Sequence, residues 1–170
     1  MNADELRTLQ APLKDRYRED PGAAVVALTA RGALDEADVV CRVDTGRALV
    51  EAGLHPATGG SGLQACSGNM LLDALVACAG VTLKAVATAI GFELRGGTVS
   101  AEGDLDFRGT LGVTKDAPVG FRAIRLSFDL DTPEPPERIE ALTKLTERYC
   151  VIFQTLAQPP TLALTVKRPG

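Results

Sequence analysis

The feature that most constrains the fold is an apolar stretch over residues 70–90. Its only charged residues are Asp73 and Lys84, and Gly91 ends it. A helix of 21 residues is long enough to span a bilayer. The two charges and the many alanines are instead typical of a helix that protein surrounds on all sides. We therefore predict a central core helix that Ser67 opens.

The length of the chain predicts one domain with a sizeable core. The chain has 170 residues, of which two are Tyr, five are Phe and none is Trp, so the core must be largely aliphatic. Asn2 and Glu5 have the spacing of a capping box, which predicts a leading helix that stops near Asp20. We assign residues 1–22 to an N-terminal helical extension and residues 23–170 to the main domain.

The remaining pattern predicts strands and one further helix. Extended structure is predicted at residues 24–33, 39–50 (with a turn at 44–46), 99–107, 121–130 and 161–166, and a glycine-rich loop at 53–62. The further helix begins at Pro135-Pro136, carries an apolar stripe of Ile139, Leu142, Leu145 and Tyr149, and ends near residues 150–153. This order lacks regular strand–helix alternation, so we predict an α+β fold with helices against a largely antiparallel sheet.

The charge balance argues against nucleic acid and membrane surfaces as partners. With 18 Lys and Arg against 22 Asp and Glu, the net charge of −4 provides no basic surface for phosphates or anionic lipids. Three of the first ten residues, Asp4, Glu5 and Arg7, are charged, and this stretch contains no apolar segment typical of a secretory signal. We expect a cytoplasmic protein.

Several common sites have little support in the sequence. His55 is the only histidine, and no two cysteines form a CxxC pair, so we expect no metal. The glycine-rich residues 58–62 lack the Lys that follows in a phosphate-binding loop. His55 also has no Ser and Asp framework nearby, which argues against a catalytic triad.

The four cysteines are the main candidates for chemistry. Cys78 lies inside the central helix and Cys150 at the end of the later one, so the packing of these two helices can bring both thiols together. The alternative is that both are small buried apolar residues. Cys66 precedes the central helix and is either a second resolving or regulatory thiol or an anchor for the loop, and Cys41 is most simply a core residue.

A reactive Cys78 needs help to ionise, because an ordinary cysteine thiol is mostly protonated at neutral pH. It lies about ten residues into its helix, too far for the helix dipole to act. Thr82 is four residues on and can offer its hydroxyl to the sulfur, whereas Lys84 points to another face. Arg42 and Arg47 are candidate cations, although each can equally be a solvated strand charge.

Two segments, LLDALVACAGVTLKAVA around Cys78 and ERYCVIFQTL around Cys150, resemble the OsmC/Ohr family. The resemblance extends over about residues 38–168. It implies a two-layer α+β fold with a curved antiparallel sheet and two long core helices. It also implies an intertwined homodimer, in which the long helices lie between the sheets of the two subunits.

The same resemblance implies an activity, which is the thiol-dependent reduction of organic or fatty-acid hydroperoxides in oxidative-stress defence. Cys78 takes the position of the peroxidatic cysteine and Cys150 that of the resolving one, and an external dithiol, lipoyl-type or other, is the reductant, without a cofactor. Family hydroperoxidases carry a Glu at the start of the central helix, paired with an Arg beside the thiolate. Here Asn69 stands in that stretch, and Arg47 is our choice for the Arg.

Two alternatives to the peroxidase stay open at this point. The chain could be a non-enzymatic protein that binds a lipid-like small molecule in the same apolar dimer cavity, or a structural dimer with inert cysteines.

Overall fold

A computed structural model of the chain describes residues 2–25, 31–34, 40–44 and 49–168. The described elements, in chain order, are α1 (Ala3–Glu19), β1 (Arg31–Leu34), β2 (Val40–Asp44), β3 (Leu49–Gly53), α2 (Ser67–Ala89), β4 (Gly96–Asp104), α3 (Phe107–Thr110), β5 (Ala123–Asp131), α4 (Pro136–Tyr149) and α5 (Val151–Ala157). Short 3-10 turns lie at Pro21–Ala24 and Pro56–Thr58. The predicted α+β class is confirmed.

The leading helix forms as its capping pattern predicts. The Asn2 side chain accepts a hydrogen bond from the Glu5 backbone N–H, and the Glu5 carboxylate accepts one from the Asn2 N–H, both at 2.9 Å. These two bonds satisfy N–H groups that a helix start otherwise leaves open. Helix α1 contacts α2. The boundary at residues 22 and 23 stays a prediction.

The strands form two antiparallel sheets. One has the order β1–β2–β3 and the other pairs β4 with β5 along nine residues. The first predicted strand, residues 24–33, is wrong at its start, because Ala24 belongs to a 3-10 turn. Arg31–Leu34 form β1, and residues 26–30 lie outside the described residues. Strands β2 and β3 flank the predicted turn at residues 44–46, and residues 45–48 between the two strands lie outside the described residues.

Strand β4 is displaced from its predicted position at residues 99–107. It begins at Gly96 and ends at Asp104, and Phe107 is helical. The Asp106 side chain accepts a hydrogen bond from the Arg108 N–H at 3.1 Å and so caps the short helix α3. Such a local cap competes with continued strand pairing.

The core lies where α2 packs against β4, α4 and α5. The buried residues of α2 recur every fourth position and therefore form one stripe, namely Leu75, Ala79, Leu83 and Ala87. Leu142 and Thr146 of α4 are also buried, which confirms the apolar stripe in part. Tyr149 is exposed, contrary to the prediction, because α4 ends there and its ring lies beside the Arg148 guanidinium instead.

A single copy of the chain buries only one face of α2, so the prediction of a helix that protein surrounds on all sides needs a second copy and stays a prediction. Leu71, Ala74 and Ala77 are exposed, and Val81 is 72% exposed. Among the described helices, α2 is the one long and apolar enough to cross a membrane, and a core helix of a soluble protein meets the same criterion. The exposed face of α2 is therefore also apolar and is open to a partner.

The predicted closing strand at residues 161–166 does not form. Leu162, Leu164 and Val166 are largely exposed, and Leu164 is 93% exposed. Backbone N–H and C=O groups need a neighbouring strand to make a ladder, and within the described residues none pairs with this segment. Residues 161–166 therefore have the alternating apolar pattern of a strand, but no neighbouring strand in the described part of the chain pairs with them.

Candidate active site at the Cys78–Cys150 pair

Cys150 lies at the junction between α4 and α5. Its N–H donates to the Thr146 carbonyl at 2.9 Å, and its carbonyl accepts from the Gln154 N–H at 2.9 Å. The residue has extended backbone angles, so it ends one helix and begins the next. Its side chain is only 1% exposed. Helix packing therefore fixes the position of this thiol.

Cys78 lies at the middle of α2 and faces the junction between α4 and α5. The Cys78 and Cys150 thiols are both free, and they lie close enough for each to shift the pKa of the other. Helix α2 contacts both α4 and α5, which confirms that the two predicted helices pack together. The structure thus brings together the two thiols that the sequence singled out.

Four polar groups surround the Cys78 sulfur. Burial raises the pKa of this thiol, but hydrogen bonds from the Ile152 N–H, the Cys150 thiol, the Val151 N–H and the Thr82 hydroxyl together outweigh it. The pKa of Cys78 is therefore lowered from its ordinary value. Hydrogen bonds to the charged form stabilise a thiolate without any cation.

The pKa of Cys150 moves in the opposite direction. Burial raises it first, and the neighbouring Cys78 raises it further, whereas the Phe153 and Ile152 N–H groups offset only part of this. Cys78 consequently ionises first and Cys150 keeps its proton. This ordering separates an attacking thiolate from a partner thiol that is held in reserve.

Apolar side chains enclose the pair. Leu75, Ala79 and Cys150 form a buried cluster, and Cys78 packs against it. Partly buried residues around the same cluster are Val99, Ala101, Ile124, Leu126, Phe128, Ile152 and Phe153. The thiols therefore lie in surroundings that favour an apolar reactant over a strongly hydrated one.

Asn69, which was predicted to stabilise the thiolate, is not brought to the sulfur. Asn69 is exposed and lies nine residues before Cys78, about 13 Å along the helix axis. Arg47 lies outside the described residues, as does the side chain of Arg42. Within the parts of the chain that are described, no charged side chain perturbs the Cys78 pKa.

Cys66 is separated from the pair by the length of α2. It precedes Ser67 as the N-cap, twelve residues from Cys78 and so about 18 Å along the axis. A disulfide needs Cα atoms within about 7 Å, so Cys66 cannot resolve Cys78 within one copy of this conformation. Its side chain lines a cavity of about 360 Å³ together with Asn69 and His55. The side chain of Cys41 lies outside the described residues.

His55 has a structural role at this second cavity. Its ring stacks on Phe107 with centroids 4.8 Å apart, and its Nδ1 accepts a hydrogen bond from the Ala57 N–H at 3.0 Å. The described residues contain no cluster of three or more His, Cys, Asp or Glu side chains that could hold a metal ion.

An apolar cavity of about 530 Å³ shares wall residues with the cluster around the thiol pair. Its lining is mainly apolar and includes Leu71, Leu75, Ile124, Leu126, Phe153 and Leu156. Neither thiol lines it, but Leu75 and Phe153 belong both to its wall and to the cluster around Cys150. The volume is within the range of small-molecule sites.

Comparison with known proteins identifies the family. The model of the OsmC-like protein family matches residues 60–165, which include both cysteines of the pair. The chain belongs to the OsmC-like family. The predicted resemblance to OsmC and Ohr proteins is thereby confirmed. No curated protein matches the sequence.

Solved structures share the OsmC-like fold at low identity. An OsmC-like protein from Mycoplasma pneumoniae is 16% identical with a TM-score of 0.65, over 79% of this chain and 89% of that one. An organic hydroperoxide resistance protein from Legionella pneumophila is 15% identical with a TM-score of 0.62, over 79% and 93%. The OhrB protein of Bacillus subtilis is 16% identical with a TM-score of 0.52, over 78% and 93%.

Sequence reasoning missed two donors in this OsmC-like site. The N–H groups of Val151 and Ile152 contact the Cys78 sulfur, and every residue except proline carries such a group. Residue type therefore holds no signal for them. The only available indication was the end of the second helix near Cys150.

Proposed function

We propose that this OsmC-like protein is a thiol-dependent peroxidase that reduces organic hydroperoxides in defence against oxidative stress. The observation that carries the proposal is the contact between Cys78, whose pKa is lowered, and Cys150, whose pKa is raised. A peroxidatic and a resolving cysteine need this combination of proximity and ordered ionisation. The hydroperoxide resistance proteins among the structural relatives support the same chemistry.

In the first proposed step, the Cys78 thiolate attacks the terminal oxygen of the hydroperoxide. The S–O bond forms as the O–O bond breaks, and the alkoxide leaves with the electron pair and takes up a proton to become the alcohol. The sulfur is oxidised by two electrons to a sulfenic acid, and the peroxide is reduced by two.

In the second step, the Cys150 sulfur attacks the Cys78 sulfenic acid, and water leaves with the thiol proton. An external dithiol then reduces the disulfide and becomes a disulfide itself. The cycle needs no cofactor, and we place it in the cytoplasm, where thiols are kept reduced. The cavity of about 530 Å³ offers an apolar space for the alkyl part of an organic or fatty-acid hydroperoxide.

The proposal includes a homodimer in which a second copy lies against the exposed face of α2. Leu71, Ala74, Ala77 and Val81 form an apolar surface on this helix, and contiguous exposed apolar surfaces mark interaction sites. Leu162, Leu164 and Val166 add exposed apolar side chains near the C-terminal end of the chain. An isologous dimer would cover one such surface with its equivalent.

The deciding experiment is intact-mass analysis after one equivalent of cumene hydroperoxide, with hydrogen peroxide in parallel. The wild type should lose two hydrogen atoms as a disulfide forms, and peptide mapping should place it between Cys78 and Cys150. Cys150→Ser should gain one oxygen atom that dimedone traps at Cys78, whereas Cys78→Ser should not react. Thiols that stay reduced in the wild type would overturn the peroxidase proposal.

A second candidate is the binding of a lipid-like small molecule without catalysis. The specific observation in its favour is that the cavity of about 530 Å³ has a mainly apolar lining but is lined by neither thiol. Native mass spectrometry of the protein purified from cells tests it. A retained apolar ligand, lost in Leu75→Trp, together with inert thiols would favour this candidate.

A further inference from the structure

Thr82 differs from the other threonines that the described helices contain at interior positions. Five of these donate their hydroxyl to the carbonyl four residues earlier, each at 2.8 Å, namely Thr8, Thr88, Thr143, Thr146 and Thr155. This bond is the usual local partner of a helical threonine. Thr82 makes no such bond, and its hydroxyl, one helix turn from Cys78, lowers the pKa of that thiol instead.

Helix geometry explains why Thr82 can reach the sulfur. Residues four apart lie one above the other on the same helix face, so the Thr82 and Cys78 side chains are neighbours. A threonine side chain has few χ1 rotamers, and both side chains are half-buried. The hydroxyl is thus held by a stiff side chain on a continuous helix.

The electrostatic surroundings give this hydroxyl weight. At the junction between α4 and α5, the titratable group that faces Cys78 is the Cys150 thiol. From β4 and β5, the neighbouring side chains are apolar and include Val99, Ala101 and Ile124. No charged side chain of the described residues acts on the sulfur. Among the described residues, uncharged donors therefore carry its stabilisation, and Thr82 is the one that belongs to the same helix.

We propose that Thr82 is a positioning residue that donates its hydroxyl hydrogen to the Cys78 thiolate and holds the sulfur ready for attack. Its role in turnover rests on the proposed peroxidase function. Its effect on the thiolate itself does not, because that effect exists before any peroxide binds. When the sulfur becomes a sulfenic acid it loses its negative charge, and this hydrogen bond weakens.

The test is the alkylation rate of Cys78 with iodoacetamide from pH 5 to pH 10, followed by peptide mass spectrometry on fully reduced protein without peroxide. Thr82→Val keeps the side-chain shape and removes the donor, and Thr82→Ser restores a hydroxyl. Thr88→Val is the matched control, because Thr88 lies in the same helix and bonds to the Lys84 carbonyl. Circular dichroism melting establishes that each variant is folded, and Thr82→Ala replaces Thr82→Val if the latter unfolds.

We expect alkylation of Cys78 at pH 7 to slow by about three- to tenfold in Thr82→Val, with its midpoint at higher pH. The alkylation rate of Thr82→Ser should stay within about twofold of the wild-type rate, and the rate of Thr88→Val should equal the wild-type rate. A wild-type profile in Thr82→Val would overturn the proposal, as would equal slowing in Thr88→Val, which indicates general loosening of the helix. A wild type that forms no disulfide with peroxide would overturn the peroxidase function and leave the alkylation result intact.

Discussion

The thiols of Cys78 and Cys150 lie close enough to shift each other's pKa although 72 positions separate them in the chain. The Val151 and Ile152 N–H groups that follow Cys150 contact the same sulfur. The segment that brings the partner thiol therefore also stabilises the Cys78 thiolate, whose oxidised form, the sulfenic acid, that thiol would later attack.

The first prediction concerns the Cys150 thiol as a hydrogen-bond donor. Cys150→Ala removes this donor, so alkylation of Cys78 at pH 7 should slow by about two- to fivefold. Cys150→Ser keeps a hydroxyl donor and should react at least as fast as the wild type. Stopped-flow alkylation of the reduced proteins measures both rates. Identical rates in the Ala and Ser variants would show that the backbone N–H groups and Thr82 suffice.

The second prediction is the pH dependence of stability that Cys78 causes. Its pKa is lowered in the folded protein, chiefly by the Ile152 N–H against the opposing effect of burial, so its contribution is full above the unfolded pKa. That contribution is lost as the pH falls through the lowered value.

Urea unfolding of Cys150→Ser and of Cys78→Ser/Cys150→Ser at pH 7 and pH 9 measures this effect without titration of Cys150. The difference in unfolding free energy between the two variants should grow in favour of Cys78 from pH 7 to pH 9. A difference that shrinks at pH 9 would mean that burial outweighs the hydrogen bonds.

The third prediction concerns the contact between α2 and α4. Leu142 is 0% exposed and packs with Leu83, Ala87 and Phe92. Leu142→Ala should reduce the free energy of unfolding by about 2–5 kcal/mol, since it leaves a cavity in the core. Tyr149→Ala, at an exposed position of the same helix, should change it by less than about 1 kcal/mol. Urea titration checks both values, and similar losses in both variants would contradict the burial pattern.

The fourth prediction is a stabilising substitution in α2. Gly80 lies inside the helix, and a Cβ there would meet its nearest neighbour, Val99 Cγ2, at 3.6 Å, an ordinary contact. Gly80→Ala should therefore stabilise the fold by up to about 1 kcal/mol, through the higher helix propensity of alanine.

Gly97→Ala is the matched contrast to this substitution. Gly97 has a φ of +152°, and a Cβ there would lie 2.4 Å from the Asp129 carbonyl oxygen. This variant should melt at a lower temperature than the wild type, and Gly80→Ala at a higher one. Thermal melts followed by circular dichroism decide, and a lower melting temperature for Gly80→Ala would indicate that the space beside Val99 is filled, for example by a second copy.

The fifth prediction tests the proposed dimer. Val81→Glu places a charge on the exposed apolar face of α2, which should shift sedimentation at micromolar protein from dimer to monomer. Ser100→Glu, on an exposed position of β4, should leave the dimer unchanged. A wild type that sediments only as a monomer would refute the dimer.

Local patterns were sufficient for most of the fold. The capping box of Asn2 and Glu5, the apolar run over residues 70–90 and the start of α4 at Pro136 all rest on interactions between near neighbours in the chain. The boundary of β4 and the exposure of Tyr149 were predicted wrongly, because each depends on what the chain does immediately afterwards. The strand at residues 161–166 failed for a related reason, since a strand also needs a partner.

The sequence by itself determined which residue types were available for chemistry and that Cys78 lies inside one helix while Cys150 lies at the end of another. It also determined that Thr82 is a neighbour of Cys78 on its helix. Only the tertiary structure decided that the two thiols meet, that Cys66 lies too far away to take part and that Asn69 does not reach the sulfur. The physical reason is the range of the interactions. Helix periodicity acts over a few residues, whereas the pKa values of both thiols depend on burial and on backbone N–H groups that helix packing brings from the far end of the chain.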